Sequence, residues 1–188
     1  MRVYVIRHGE SETNYNKQWT GWSDVHLTDK GKEDAKKARD FLKHISFDKI
    51  FASDLVRAVE TAKIALPDCC YETSPHLREI NVGTLAGNPL FGLLDEQRER
   101  IAEFGYIDFD GETKEHFRNR IRKVMKELEV LNCETIALFT HAGWMRGMLD
   151  AVLGTYLPRK HIQCNNCSVA IFEYTNENWQ LHSWINLS

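Results

Sequence analysis

Two histidines stand where short apolar runs give way to small residues. Residues 3–6 lead into Arg7-His8-Gly9, and residues 135–139 lead into Thr140-His141-Ala142-Gly143. Neutral imidazole is a nucleophile, and a neighbouring cation disfavours its protonation, so Arg7 favours the reactive form of His8. Arg57 supplies a second guanidinium, whose forked donors match a tetrahedral oxyanion better than the point charge of lysine. Asn14 adds a neutral donor. Such a set suits a phosphoryl group, with charge spread over three oxygens, passing to His8 and then to water. The departing alkoxide needs a proton. Glu79, in Leu77-Arg78-Glu79-Ile80 ahead of a glycine turn, is the best acid candidate, with Glu10, Glu12 and Glu112 as competitors.

Something must bring these residues together. Each histidine ends a predicted buried strand, and ligands of open α/β sheets bind beyond the carboxyl ends of the strands, where helix N-termini offer free N–H groups. Thr28 is positioned to cap a surface helix reaching about Lys43, with the thin apolar stripe Ala35, Ala38 and Leu42. A strand over 49–52 precedes a helix carrying Leu55, Ala58, Val59, Ala62 and Ala65 on one face, capped by Ser53 or Asp54. Arg57 falls in its first turn. A short strand is expected near 71–73, and residues 89–110 have no regular pattern. Phe117, Ile121, Val124, Leu128 and Leu131 recur at helical spacing. A strand over 135–139 and a helix with Met145, Met148, Leu149 and Val152 follow, then a hairpin-like pair over 168–174 and 179–185. The alternation predicts a three-layer α/β/α sandwich around a mainly parallel mixed sheet.

Composition narrows the function classes. The 188 residues suit one domain, and 43% hydrophobic with 27% charged residues is ordinary globular usage. Net charge is −3, from 24 Lys plus Arg against 27 Asp plus Glu, so nucleic acid is not an expected partner. No uncharged apolar run approaches the ~18 residues of a bilayer span, and Arg7 interrupts the first apolar run early. The expectation is a cytoplasmic protein without a membrane partner. Five cysteines, an odd number, read as thiols in a reducing compartment. His161, Cys164 and Cys167 have only partial zinc spacing, so core or edge thiols are expected there.

Four segments in order resemble the histidine phosphatase superfamily, also called phosphoglycerate mutase-like. They are Arg7-His8-Gly9-Glu10-Ser11 with Asn14, Ser53-Asp54-Leu55-Val56-Arg57-Ala58, Leu77-Arg78-Glu79-Ile80 and Thr140-His141-Ala142-Gly143. Leu27-Thr28-Asp29-Lys30-Gly31 and Gly111-Glu112-Thr113 look like its helix-entry segments. The resemblance implies His8 as the phosphorylated nucleophile, Arg7, Arg57 and His141 as the phosphate pocket, Asn14 as a further pocket residue and Glu79 as proton donor. It implies a small-molecule phosphate ester substrate, no metal and no organic cofactor. One domain over 1–188, with a substrate-lid insertion around 88–110, is expected.

Within the superfamily, Trp19-Thr20-Gly21-Trp22-Ser23-Asp24 looks like the segment with which cofactor-dependent phosphoglycerate mutases hold the substrate carboxylate. Thr20, Gly21 and Ala142 are therefore assigned to substrate contact. Against a mutase, the chain reads Glu79-Ile80-Asn81-Val82-Gly83 where those mutases resemble Glu-Arg-His-Tyr-Gly, and the paired arginines of the mutase lid are read as having no counterpart between Gly87 and Gly111. The expectation is a phosphomonoester hydrolase. A cofactor-dependent mutase and a catalytically inactive phosphate-binding or interaction domain are the alternatives. Taken alone, Arg57 also has the spacing for a solvated pair with Asp54 or Glu60, and Asn14 suits a turn.

Overall fold

The computed structural model describes residues 1–157 and 161–187. Strand β1 (Arg2–Arg7) is followed by α1 (Glu12–Tyr15), α2 (Asp29–Leu42), β2 (Lys49–Ser53), α3 (Val56–Ala65) and β3 (Glu72–Ser74). Then come α4 (Asp95–Phe104), α5 (Lys114–Glu129), β4 (Thr135–Thr140), α6 (Ala142–Leu153), β5 (Val169–Thr175) and β6 (Asn178–Ile185). The six-stranded sheet has the order β3-β2-β4-β1-β5-β6. Its first four strands are parallel, while β5 pairs antiparallel with both β1 and β6.

Strand periodicity divides the core into two apolar layers. Val3 and Val5 of β1, Ile136 and Leu138 of β4, and Ala170 and Phe172 of β5 face α5 and α6. Tyr4, Ile6, Ala137, Phe139, Val169 and Ile171 face the opposite way, onto α2 and α3. Strands buried on both faces read as unbroken apolar runs, which is why β1 and β4 are so plain in the sequence. The expected three-layer α/β/α sandwich with a mainly parallel mixed sheet is present.

Two local expectations are corrected. Neither Ser53 nor Asp54 caps α3. Leu55 occupies the cap position, and the free amide of Val56 is met at 2.8 Å by the Asp24 carboxylate, from the loop before α2. A cap supplied from far along the chain leaves no local signature. Residues 89–110 are not wholly irregular, because α4 lies within them. None of its residues is buried, so it lacks the apolar stripe by which a helix is recognised in sequence. Thr28 and Thr113 do cap α2 and α5, accepting from the amides of Gly31 and His116. No helix among the described residues is long and apolar enough to cross a membrane.

Candidate active site

Strand register joins the two histidines. In the β1 and β4 pair Arg7 lies opposite Thr140, so the next residue of each strand, His8 and His141, emerges at the same sheet edge. Their ring centroids are 5.1 Å apart and both residues are buried. The His8 amide donates to the Thr140 carbonyl at 3.0 Å, and the His8 carbonyl accepts from Asn166 Nδ2 and the Cys167 amide. His8 Nδ1 lies 2.6 Å from the Gly9 carbonyl oxygen. A carbonyl can only accept, so Nδ1 carries the proton and Nε2 keeps its lone pair.

The neighbouring strands bring the arginines. β2 lies on the other side of β4, and Ser53 at its end places Oγ 2.9 Å from His141 Nε2. One turn later Arg57 is 1% exposed, its Nη1 and Nη2 donating to the carbonyls of Ser23 and Gly21 at 2.9 Å each. It is no solvated pair partner. Asp54 is taken by Arg78 and Glu60 by His26. Thr61 ties α3 to the nucleophile turn, accepting from the Gly9 amide and donating to the Arg57 carbonyl. Arg7 donates to the Cys164 carbonyl at 2.6 Å, just before the antiparallel β5 whose start meets this same edge.

Asn14 Oδ1 accepts from Asn166 Nδ2 at 3.2 Å, so the loop before β5 bridges Asn14 and the His8 carbonyl. Thr20 and Gly21 meet protein groups: Thr20 Oγ1 is 2.7 Å from Thr13 Oγ1, and the Gly21 carbonyl holds Arg57. Ala142 opens α6 directly after His141.

Glu79 reaches the same edge from the segment after β3. Its Oε2 accepts from the Gly143 amide at 2.9 Å and its Oε1 from the Ile80 amide at 3.0 Å, so the carboxylate sits at the N-terminus of α6. A Cβ on Gly143 would collide with that carboxylate, which is the physical reason for glycine there. Among its competitors, Glu112 is engaged elsewhere. It takes Nε and Nη2 of Arg120, which directs its three remaining donors to the carbonyls of His76, Arg78 and Glu79. All five guanidinium protons are thereby used. The Trp22 indole N–H also donates to the Glu79 carbonyl, at 2.7 Å. Arg120, Ser53, Thr61 and Asn166 carry no local sign in the sequence of their supporting roles, since each acts across a distant segment.

Electrostatics follow from burial. Removal from water, then the charges of Arg57 and Arg7, push His8 well below its usual imidazole range. Burial and Arg57 do the same to His141. Burial lowers Arg57 to about 10, which leaves it cationic at neutral pH. Five buried side-chain atoms among the described residues lack a hydrogen-bond partner in the protein, and three of them are Arg7 Nε, Arg57 Nε and His141 Nδ1. Buried polar groups are normally paired, and these three orphans belong to residues that neighbour His8 or act on it electrostatically, a set of donors suited to an acceptor-rich anion. A nucleophilic lone pair, two desolvated guanidiniums and a carboxylate at a helix start can together bind and transfer a phosphoryl group.

The cysteine expectation also meets the structure. Cys164 and Cys167 are buried thiols, with burial pushing Cys167 up to about 12. Cys164 Sγ contacts Met145 Sδ at 3.9 Å. Among the described residues no group of three or more His, Cys, Asp or Glu is arranged to hold a metal ion. Trp144 is a fully buried helix-packing residue whose indole donates to the His76 carbonyl.

Comparison with known proteins fits this geometry. A family model described as the histidine phosphatase superfamily, branch 1, matches residues 3–187. A probable phosphoglycerate mutase GpmB of Enterobacter sp. (strain 638) is 28% identical, the match covering 98% of this chain and 90% of that protein. The solved phosphoglycerate mutase of Thermus thermophilus superposes with a TM-score of 0.77 at 27% identity, covering 100% of both chains. A phosphoserine phosphatase mutant from Entamoeba histolytica, solved with phosphoserine, shares the fold with a TM-score of 0.87 at 23% identity, covering 99% of this chain and 97% of that one.

Proposed function

We propose that this chain, which belongs to the histidine phosphatase superfamily, branch 1, hydrolyses phosphomonoesters through a phosphohistidine on His8. The observation that carries the reading is the His8 tautomer: Nδ1–H is engaged by the Gly9 carbonyl, which leaves the Nε2 lone pair facing an anion seat. The substrate phosphate sits among Arg7, Arg57 and His141, with Asn14 beside it. His8 Nε2 attacks phosphorus as the P–O bond to the alcohol breaks, and Glu79 protonates the departing oxygen. Glu79 then takes a proton from water, whose oxygen attacks the phosphohistidine and frees His8 with inorganic phosphate. The fixed guanidiniums stabilise the equatorial oxygens in both steps, without reorganisation.

Hydrolysis is favoured over mutase chemistry by the residues after the acid. Ile80 and Val82 are buried in the core beneath α5 and α6, and the Asn81 side-chain oxygen accepts from the Gly83 amide. These positions themselves carry no cation, where the mutase segment they are compared with has arginine and histidine. The wall of the substrate chamber is assigned to segment 88–110, with α4 at its centre, and substrate contact to Thr20, Gly21 and Ala142. The test is an acid-quench experiment during turnover of p-nitrophenyl phosphate. Acid-labile phosphate should be trapped on the wild-type protein and absent from His8→Ala, which should lose turnover while keeping its fold. Undiminished turnover in that variant would remove the proposal. Incubation with 3-phosphoglycerate and catalytic 2,3-bisphosphoglycerate should release inorganic phosphate; accumulation of the 2-isomer would instead establish the mutase.

A further inference from the structure

Three of the five orphaned buried polar atoms among the described residues belong to the candidate phosphate pocket; the other two are Trp19 Nε1 and Arg146 Nε. Both belong to residues lining a separate cavity of about 360 Å³, within the size range of small-molecule sites. This cavity adjoins the phosphate centre through Gly143, whose amide holds Glu79, and through Ile80. Gly143, Arg146, Gly147 and Asp150 line it at i, i+3, i+4 and i+7, so one face of α6 runs from the centre into the cavity.

Its lining has a consistent chemistry. Trp19, Tyr106, Phe117 and Tyr156 provide flat apolar surface, with Trp19 and Tyr106 packed edge to face at 5.7 Å. Arg98, Lys114, Arg118 and Arg146 provide positive charge against a single lining carboxylate, Asp150, whose Oδ1 is taken by the Leu157 amide. Lys114 Nζ lies 4.1 Å from the Tyr156 ring centroid.

Building on the hydrolase reading, we infer that this cavity receives the alcohol portion of the substrate, and that it selects phosphomonoesters with a planar apolar scaffold ending in a carboxylate, which Arg146 and Arg118 hold. The scaffold stacks in the aromatic walls. The distal carboxylate satisfies the Arg146 fork, and an acceptor on the scaffold meets the Trp19 indole.

Non-hydrolysable probes test this independently of turnover. Binding of benzylphosphonate and 4-carboxybenzylphosphonate is compared by isothermal titration. The carboxylate should tighten binding about tenfold in the wild type, as expected for a charge-assisted hydrogen bond. Arg146→Met should erase that ratio while benzylphosphonate still binds, which also reports an intact fold, and Arg146→Lys should keep part of it. Equal affinities in the wild type, or a ratio that survives in both Arg146→Met and Arg118→Met, overturn the inference. Failure of both phosphonates to bind overturns it as well. Turnover of p-nitrophenyl phosphate decides the hydrolase reading separately, since that ester carries no carboxylate.

Discussion

At the scale of single residues, the active site is a set of commitments about protons. His8 keeps a bare Nε2 because Nδ1–H is fixed by Gly9, and because burial and two arginines oppose a second proton. In the proposed reaction Glu79 has the opposite task of delivering one. Its value must therefore depend on how much the leaving group needs help. Glu79→Gln should slow hydrolysis of an alkyl phosphate by about 10²-fold or more, yet leave an activated aryl phosphate within a few-fold of the wild type. The check is kcat/KM across a series of leaving groups of differing basicity. An equal loss at both ends of the series would remove the acid role from Glu79.

At the scale of elements, the acid is held by a clamp that the chain assembles from three places. Arg120 on α5 grips three carbonyls of segment 76–79 and is neutralised by Glu112, which also accepts from the Asn81 amide. The side chains of this pair are 6% and 3% exposed, so losing one member strands a buried charge. Arg120→Met should destabilise the protein by about 3–5 kcal/mol, read from denaturant unfolding. Replacing both members with apolar residues should recover much of that loss, since the desolvation cost then disappears with the charges. A double variant as unstable as the single one would show that the carbonyl contacts, rather than the ion pair, dominate.

For the molecule as a whole, the buried histidines couple folding to acidity. Both are held below the ordinary value near 6.5 when folded. As pH falls through 6.5, the unfolded chain takes up protons that the folded chain refuses, so the balance shifts toward unfolding. Stability conferred above that pH is lost progressively down to the folded-state values, by up to about 1.4 kcal/mol per pH unit for each ring. Exposed His26, raised by Glu60, works in the opposite direction, but solvent screens it. Unfolding curves at about pH 7.5 and about pH 5.5 should show the loss, and His8→Asn should show a shallower one. A stability independent of pH over this window would mean that the rings are not held neutral.

What the sequence determined by itself is the set of elements with strong local patterns and the candidates for the reacting groups. The apolar runs of β1 and β4, the stripe of α5, and the threonine caps of α2 and α5 are all short-range features, and Arg7-His8-Gly9 and His141-Ala142-Gly143 mark the edge to which they point. Legibility ended where partners were distant. That α3 is capped by Asp24, that Ser53 meets His141, and that Arg120 grips the Glu79 carbonyl were decided only by tertiary structure. So was α4, whose unburied residues carry no periodic signal. The physical reason is that periodicity and capping act within a few residues. Strand order and the burial of polar groups instead bring remote segments together, and their partners are fixed only when the sheet closes around them.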